Sequence, residues 1–216
     1  MLQPTDFLKY PSANAQDEKW GLVCTTVGTQ NVKPHAPYPV AIHPTDYNFT
    51  NNGRVLDEYQ LVYITEGEGF FQSSSCEMTR VEAGTILLLF PGERHLYYPN
   101  PDTGWNEMWV GFRGAQVDMT IRNFFSRKTP MLKVGVRESI VGLYNKIISY
   151  SMDDIRGTQQ VIAGVIFTSS AVSTTSKSTT RTAATRTPIK STRRRCCCVR
   201  ISPRNSRRPI LPHVSA

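Results

Sequence analysis

Between Tyr59 and Arg113, short runs of β-forming and mostly apolar residues alternate with turn signals at roughly even spacing. That is the pattern of a closed or double-sheet all-β domain. Tyr59–Thr65 is apolar at most positions and predicts a strand covered on both faces. Glu66-Gly67-Glu68-Gly69 reads as a tight connection into Phe70–Gln72, and Ser73–Ser75 as a polar turn. Short strands follow at Met78–Val81, Thr85–Phe90 and His95–Tyr98, separated by Glu82-Ala83-Gly84 and Pro91-Gly92. Trp105–Phe112 closes the set. Trp105, Glu107, Trp109 and Gly111 share one face of it; Met108, Val110 and Phe112 share the other.

Upstream, residues 1–19 are polar, contain Pro4 and Pro11, and predict an extended arm of weak intrinsic structure. Trp20–Gln30 is rich in β-formers. Pro34, Pro37 and Pro39 make the next stretch irregular or an edge, and Asn52-Gly53 marks a turn. After Gly114 the period becomes helical, with Val117, Ile121, Phe124 and Phe125 on one side and Pro130 as the stop. Ile140, Val141, Leu143, Tyr144, Ile147 and Ile148 predict a second amphipathic helix. Asp153-Asp154 suits the first turn of a third, carrying Ile155 and Val161 through Phe167. The organisation expected is an arm at 1–19, a barrel at 20–113, a helical segment at 114–167 and a disordered basic tail at 168–216. The fold class is mainly β with α, a jelly-roll barrel followed by two to three helices.

Charge splits the chain at the same place. The 216 residues have a formal net charge of +8, but all 17 acidic residues lie at or before Asp154. From Thr158 onward there are 11 Lys/Arg and no acid, leaving residues 1–157 with 14 Lys/Arg against 17 acids. The basic pI therefore belongs to the tail and does not make the body a nucleic-acid binder. Cys24 and Cys76 are well separated, and Cys196, Cys197 and Cys198 are in the tail. This is no disulfide framework, so a reducing cytoplasm is expected. The N-terminus has no apolar core of a secretory signal, and no run reaches the ~18 apolar residues a membrane span needs.

The stretches GRVLDEYQLVYITEGEG (Gly53–Gly69), AGTILLLFPGERHLYYP (Ala83–Pro99) and WNEMWVGFRG (Trp105–Gly114) resemble the cupin-type sensor domain of AraC-family transcription regulators. MTIRNFFS and ESIVGLYNKIISYSMDD resemble the dimerisation helices that follow it there. The likeness covers about residues 20–167. It implies a β-barrel that binds a small effector, a homodimer, and a C-terminal DNA-binding domain of two helix-turn-helix motifs. In the arabinose-responsive member the positions of His95, Tyr97, Glu107 and Trp109 line the sugar pocket, with Arg54 near its mouth. Trp109 offers a flat face for stacking, and the other four offer hydrogen bonds. Glu107 departs from the histidine expected at its position, so the identity of the sugar does not carry over. The expected ligand is a small polar effector, a sugar being one candidate.

Metallo-cupins carry a His-x-His plus Glu motif and a later His. Only His95 has a counterpart here. The four histidines His35, His43, His95 and His213 form no ligand set by spacing, so neither metal, cofactor nor enzymatic activity is expected. The alternative is a free-standing cupin enzyme or sugar-binding protein with a disordered basic tail. A second alternative is a nucleic-acid binder acting through Arg193–Arg195.

A DNA-reading half is expected to begin near residue 185; the sequence there does not resemble one, and a shift of reading frame is the expected cause. Back-translated with a permitted codon set and read one base earlier, Thr168–Ser176 becomes His-Leu-Leu-Gly-Cys-Val-Tyr-Tyr-Lys, an apolar continuation of the third helix. The same shift turns the stretch from Cys196 into Met-Leu-Leu-Arg-Glu-Asn-Phe-Ser-Pro-Glu-Phe-Thr-Pro-Ala-Asp-Ile-Ala-Pro-Arg-Leu-Ser, which resembles the opening of the family's first helix-turn-helix. The expectation is one nucleotide lost near codon 168. DNA is then a partner of the intact regulator and is not specifically bound by this chain.

Overall fold

The structure is a computed structural model that describes residues 6–39, 53–153 and 155–178. The strands are β1 (Phe7–Lys9), β2 (Val23–Val32), β3 (Tyr59–Ser73), β4 (Cys76–Glu82), β5 (Thr85–Leu89), β6 (His95–Pro99), β7 (Trp105–Arg113) and β8 (Met131–Lys133). The helices are α1 (Ala15–Glu18), α2 (Ala115–Phe124), α3 (Glu138–Met152) and α4 (Thr158–Ser178). All pairings are antiparallel. One path runs β1-β2-β7-β3-β5-β8, while β4 and β6 both pair with β3.

Strand β3 joins the two layers. Its first half, Gln60–Ile64, pairs with β5 and β7; its second half, from Glu68 to Ser73, pairs with β4 and β6. The ladder with β7 shifts register between Ile64 and Glu66, a bulge that bends the strand. Glu66–Gly69 is therefore not the turn the sequence suggested. The residues continue one strand around a corner, with Gly67 supplying the positive φ of 75°.

Alternation along the strands divides the core in two. Leu61, Tyr63, Met108, Val110 and Phe112 pack outward with Ile140, Tyr144, Ile147, Ile162 and Ile166 of the helices. Val62, Ile64, Leu87, Leu89, Tyr97, Trp105 and Trp109 pack inward between the layers. The face split read from Trp105–Phe112 is the one found, and it decides which side chains can reach the barrel interior.

The arm is more structured than its composition suggested. Phe7–Lys9 pairs with Val27–Thr29. Asn14 and Asp17 form a capping box that starts α1. Gln159 fastens the arm to the helices: its amide accepts from the Cys24 N–H at 2.8 Å and donates to the carbonyls of Ser12 at 3.0 Å and Cys24 at 3.1 Å.

Helix boundaries also differ from expectation. Helix α2 stops at Phe124, which is exposed, and Met131–Lys133 adds the unforeseen β8 on β5. Asp153 follows the end of α3, and α4 begins only at Thr158, leaving Ile155 68% exposed. Asp154 lies outside the described residues. At the other end, α4 does not stop at Phe167 but runs to Ser178. Ser169, Ser170 and Ser173 return hydrogen bonds to carbonyls four residues earlier and stay within the helix. Residues 179–216 lie outside the described residues, and with them the rest of the expected basic tail, its arginine run and the three adjacent cysteines.

Candidate functional site

The inward face of the barrel carries an unusual number of polar side chains. Thr26, Gln30, Gln60, His95 and Glu107 are all at most 3% exposed, and Arg54 is 8% exposed. Each is placed by strand parity. Thr26, Gly28 and Gln30 alternate along β2, Gln60 shares a face with Val62 and Ile64 on β3, and Glu107 shares one with Trp105 and Trp109 on β7.

Four of the five site residues foreseen in the sequence form one chain of contacts. Arg54 faces β6 through an isolated bridge to His95. Its Nε donates to His95 Nε2 at 3.3 Å, and its Nη2 donates to the Tyr97 hydroxyl at 2.9 Å. His95 stacks on Tyr97 at a centroid distance of 6.3 Å, and its Nδ1 lies 3.0 Å from the Glu93 carbonyl. Glu107 joins through Tyr38, whose hydroxyl donates to the carboxyl at 3.3 and 3.4 Å. Trp109, the fifth, lies two residues from Glu107 on the same face of β7. Its indole N–H donates to the Thr26 hydroxyl at 3.3 Å, and its ring lies against Gly28 of β2. A Cβ at Gly28 would run into that ring and into the Phe7 carbonyl, so glycine is required there.

Burial controls the electrostatics. It pushes the Glu107 carboxyl up to about 8, against the pull of the Tyr38 hydrogen bond and the Arg54 charge. It lowers His95 to about 4, helped by the neighbouring Arg54 guanidinium. It raises Tyr97 to about 12 even though Arg54 favours the phenolate. At neutral pH His95, Tyr97 and Glu107 are therefore uncharged beside the Arg54 guanidinium. Together they are a set of hydrogen-bond donors and acceptors suited to holding a polar molecule.

Several residues at this site were not foreseen. Tyr38 came from a proline-flanked stretch read as irregular, yet it packs on Trp105 at 5.9 Å and Tyr97 at 6.3 Å. Gln30, Gln60, Glu58 and Trp105 join Tyr38, Trp105 from the face of the strand that also carries Glu107. Applying the same parity to the β2 and β3 runs would have found the two glutamines. Among the described residues no three His, Cys, Asp or Glu side chains are grouped to hold a metal ion. His43 and His213 lie outside the described residues.

Residues 35–147 match the sequence profile of the AraC-like ligand binding domain, over half of the chain. The chain belongs to this family. Two curated relatives are transcriptional regulators. The domain is 36% identical over 66 residues to the raffinose operon transcriptional regulatory protein of Pediococcus pentosaceus, covering 30% of this chain and 24% of that one. It is 27% identical over 95 residues to the MmsAB operon regulatory protein of Pseudomonas aeruginosa, covering 43% and 31%. The aligned stretches thus span about a quarter to a third of the length of these relatives. Among solved structures, the domain is similar to ToxT K231A from Vibrio cholerae, with a TM-score of 0.43, 14% identity and coverage of 70% and 55%. A cupin protein from Bacteroides fragilis aligns with a TM-score of 0.36, 14% identity and coverage of 52% and 80%. Among the described residues no helix is long and apolar enough to cross a membrane.

Proposed function

We propose that the barrel interior binds a small polar effector, with a sugar as the first candidate, and reports its presence in a cytoplasmic regulator of transcription. The carrying observation is the buried chain Arg54–His95–Tyr97–Tyr38–Glu107 beside the flat face of Trp109. A core that only filled space would use apolar side chains there, since buried polar groups cost stability unless each is matched. The sugar reading is supported by the Pediococcus relative, whose name refers to the raffinose operon. No catalytic role is assigned to any residue.

In this reading α3 and α4 form the contact between two copies. Val161 and Tyr150 leave apolar surface exposed on these helices, and both helices pack on the outward face of the barrel sheet. Effector binding shifts the balance between arrangements of the dimer by its differential affinity for them. In the same reading, DNA is a partner of the intact regulator.

Titration of the full chain with a panel of neutral sugars, followed by tryptophan fluorescence, tests the reading. A binding sugar is expected to perturb Trp109 emission. Arg54→Met and Trp109→Leu are each expected to weaken that sugar about tenfold or more, the effect of losing a charged hydrogen bond or a stacking face. If binding survives both substitutions unchanged, the effector does not occupy the barrel. The helical interface is tested by sedimentation, where Val161→Glu is expected to shift the protein towards monomer.

A further inference from the structure

Glu93 is a buried acid in the connection between β5 and β6. Its carboxylate accepts from the Ser73 hydroxyl at 2.7 Å, the Ser75 N–H at 3.1 Å and Arg127 Nη1 at 2.9 Å. Ser73 ends β3, Ser75 lies in the turn before β4, and Arg127 follows α2. Arg127 also donates to the Pro91 carbonyl at 3.2 Å and lies over the Phe90 ring at 5.1 Å. Burial alone would raise the Glu93 carboxyl, yet the three hydrogen bonds hold it below its ordinary value. It is therefore ionised at neutral pH and accepts only. Two parts of the chain far from residue 93 grip its side chain.

The main chain of the same residue meets the barrel interior. His95 Nδ1 lies 3.0 Å from the Glu93 carbonyl. A carbonyl oxygen has no proton to give, so Nδ1 carries the ring proton. On the other side of the ring, His95 Nε2 accepts from Arg54 Nε at 3.3 Å. A guanidinium has no lone pair, so Nε2 is bare. Two independent partners thus call for one neutral tautomer. Burial first, and then the Arg54 charge, keep the ring neutral by lowering it to about 4. Donation then continues in one direction, from Arg54 Nη2 to the Tyr97 hydroxyl at 2.9 Å.

We propose that Glu93 is a positioning residue of the effector site. It fixes His95 as the Nδ1–H tautomer, and His95 in that form orients the Arg54 guanidinium. The proposal rests on the effector-site reading above and divides the roles within it. Both ring nitrogens of His95 are engaged in holding Arg54, so the imidazole acts through the guanidinium. A planar guanidinium recognises a polar group only when its fork is held at a set angle, and a second layer of hydrogen bonds is what holds it. Glu93 reaches that layer from outside the barrel, through Arg127 and the β3–β4 turn.

The test uses the full chain without ligand. Long-range proton–nitrogen NMR of the His95 ring is expected to show Nδ1 protonated and Nε2 bare; the opposite tautomer overturns the proposal. Glu93→Ala is expected to mix the two tautomers and to speed exchange of the Arg54 Nε–H about tenfold, the loss of roughly one hydrogen bond. Glu93→Gln keeps an amide oxygen for Ser73 and Ser75 and is expected to retain the wild-type tautomer. A residue that served stability alone would lower Tm in both variants and leave tautomer and exchange as they were, and that result overturns the role. Where Glu93→Ala does not fold, Arg127→Gln removes one of the three contacts from a half-exposed position. It is expected to shift tautomer and exchange in the same direction by a smaller amount, and no shift overturns the role. These readouts need no effector, so their failure leaves the effector site standing. Failure of the sugar titration would remove the effector site and leave the His95 tautomer as measured.

Discussion

In the barrel, Arg54, His95, Tyr97 and Glu107 are buried with their polar atoms turned towards a common interior. In the last turns of α4, Ser169, Ser170 and Ser173 are buried with theirs turned back onto their own helix. The two regions look alike by exposure alone and differ in what the polar atoms do. The barrel groups meet each other across strands far apart in sequence. The serines satisfy themselves locally and give nothing to their surroundings that an apolar side chain would not give better. Burial of a polar residue points to a site only when its partners come from elsewhere in the fold.

The serines have a different explanation, which we propose lies in the coding sequence. With the permitted codon set used above, reading one base earlier gives leucine, leucine and valine at Ser169, Ser170 and Ser173, and histidine and glycine at the exposed Thr168 and Ala171. The shifted frame puts apolar residues at the three buried positions. The largest expected effect tests this directly. Ser169→Leu, Ser170→Leu and Ser173→Val together are expected to stabilise the protein. Burying each aliphatic side chain contributes about 1.5–3 kcal/mol, offset by roughly 1–3 kcal/mol of fitting strain where space is short. A net gain of about 3 kcal/mol would raise Tm by roughly 6–12 °C for a chain of this size. A fall in Tm of the triple variant would mean the helix was built around serine. The nucleotide sequence around codon 168 gives an independent check.

Much of the barrel was legible because strand parity is a local property. Trp105–Phe112 announced its two faces, and they became the two cores. Arg54, His95, Tyr97 and Glu107 could be picked out and do come together. What escaped depended on the tertiary fold. The Glu66–Gly69 corner has the composition of a turn, but pairing on both sides holds it as strand. Tyr38 had no pattern around it, since its place against Trp105, Tyr97 and Glu107 comes from how residues 33–39 are folded over the barrel. The end of α4 misled for another reason: serine and threonine have poor helix propensity, and tertiary packing overrode it.

A second test sharpens the comparison through pH, because the barrel groups titrate and the serines do not. Glu107 is raised from 4.5 to about 8 in the folded protein. Between those values the unfolded chain is ionised and the folded one holds its proton. The stability linked to this group is therefore greatest below about 4.5 and is lost as pH rises to about 8. His95 is lowered from 6.5 to about 4. Its contribution is complete above 6.5 and is lost as pH falls towards 4. The two windows overlap and their slopes cancel between about 4.5 and 6.5, so these groups give Tm a plateau there that falls away below about 4.5 and above about 6.5. Glu107→Gln, which keeps a partner for Tyr38, is expected to flatten the alkaline limb, so that its advantage in Tm over the parent grows from about pH 4.5 to pH 8. An alkaline limb that persists in this variant would place the titrating group elsewhere.

The smallest effect separates the two causes that hold His95 neutral. Burial is the larger and the Arg54 guanidinium the smaller. Arg54→Gln removes the charge but leaves the ring at the same depth, stacked on Tyr97. The His95 ring, followed by NMR through its carbon-bound protons, is then expected to titrate higher by less than about one pH unit, equivalent to at most roughly 1.4 kcal/mol. It should remain below the ordinary histidine value, because desolvation persists. A full return to that value would mean the guanidinium had been keeping water out of the barrel as well as repelling the proton. An unchanged titration would break the chain of contacts at its first link, leaving Arg54 as a partner of Tyr97 alone. In either case the serines of α4 supply the control, since Ser170→Leu changes a buried polar residue at similar exposure and should leave the His95 titration where it was.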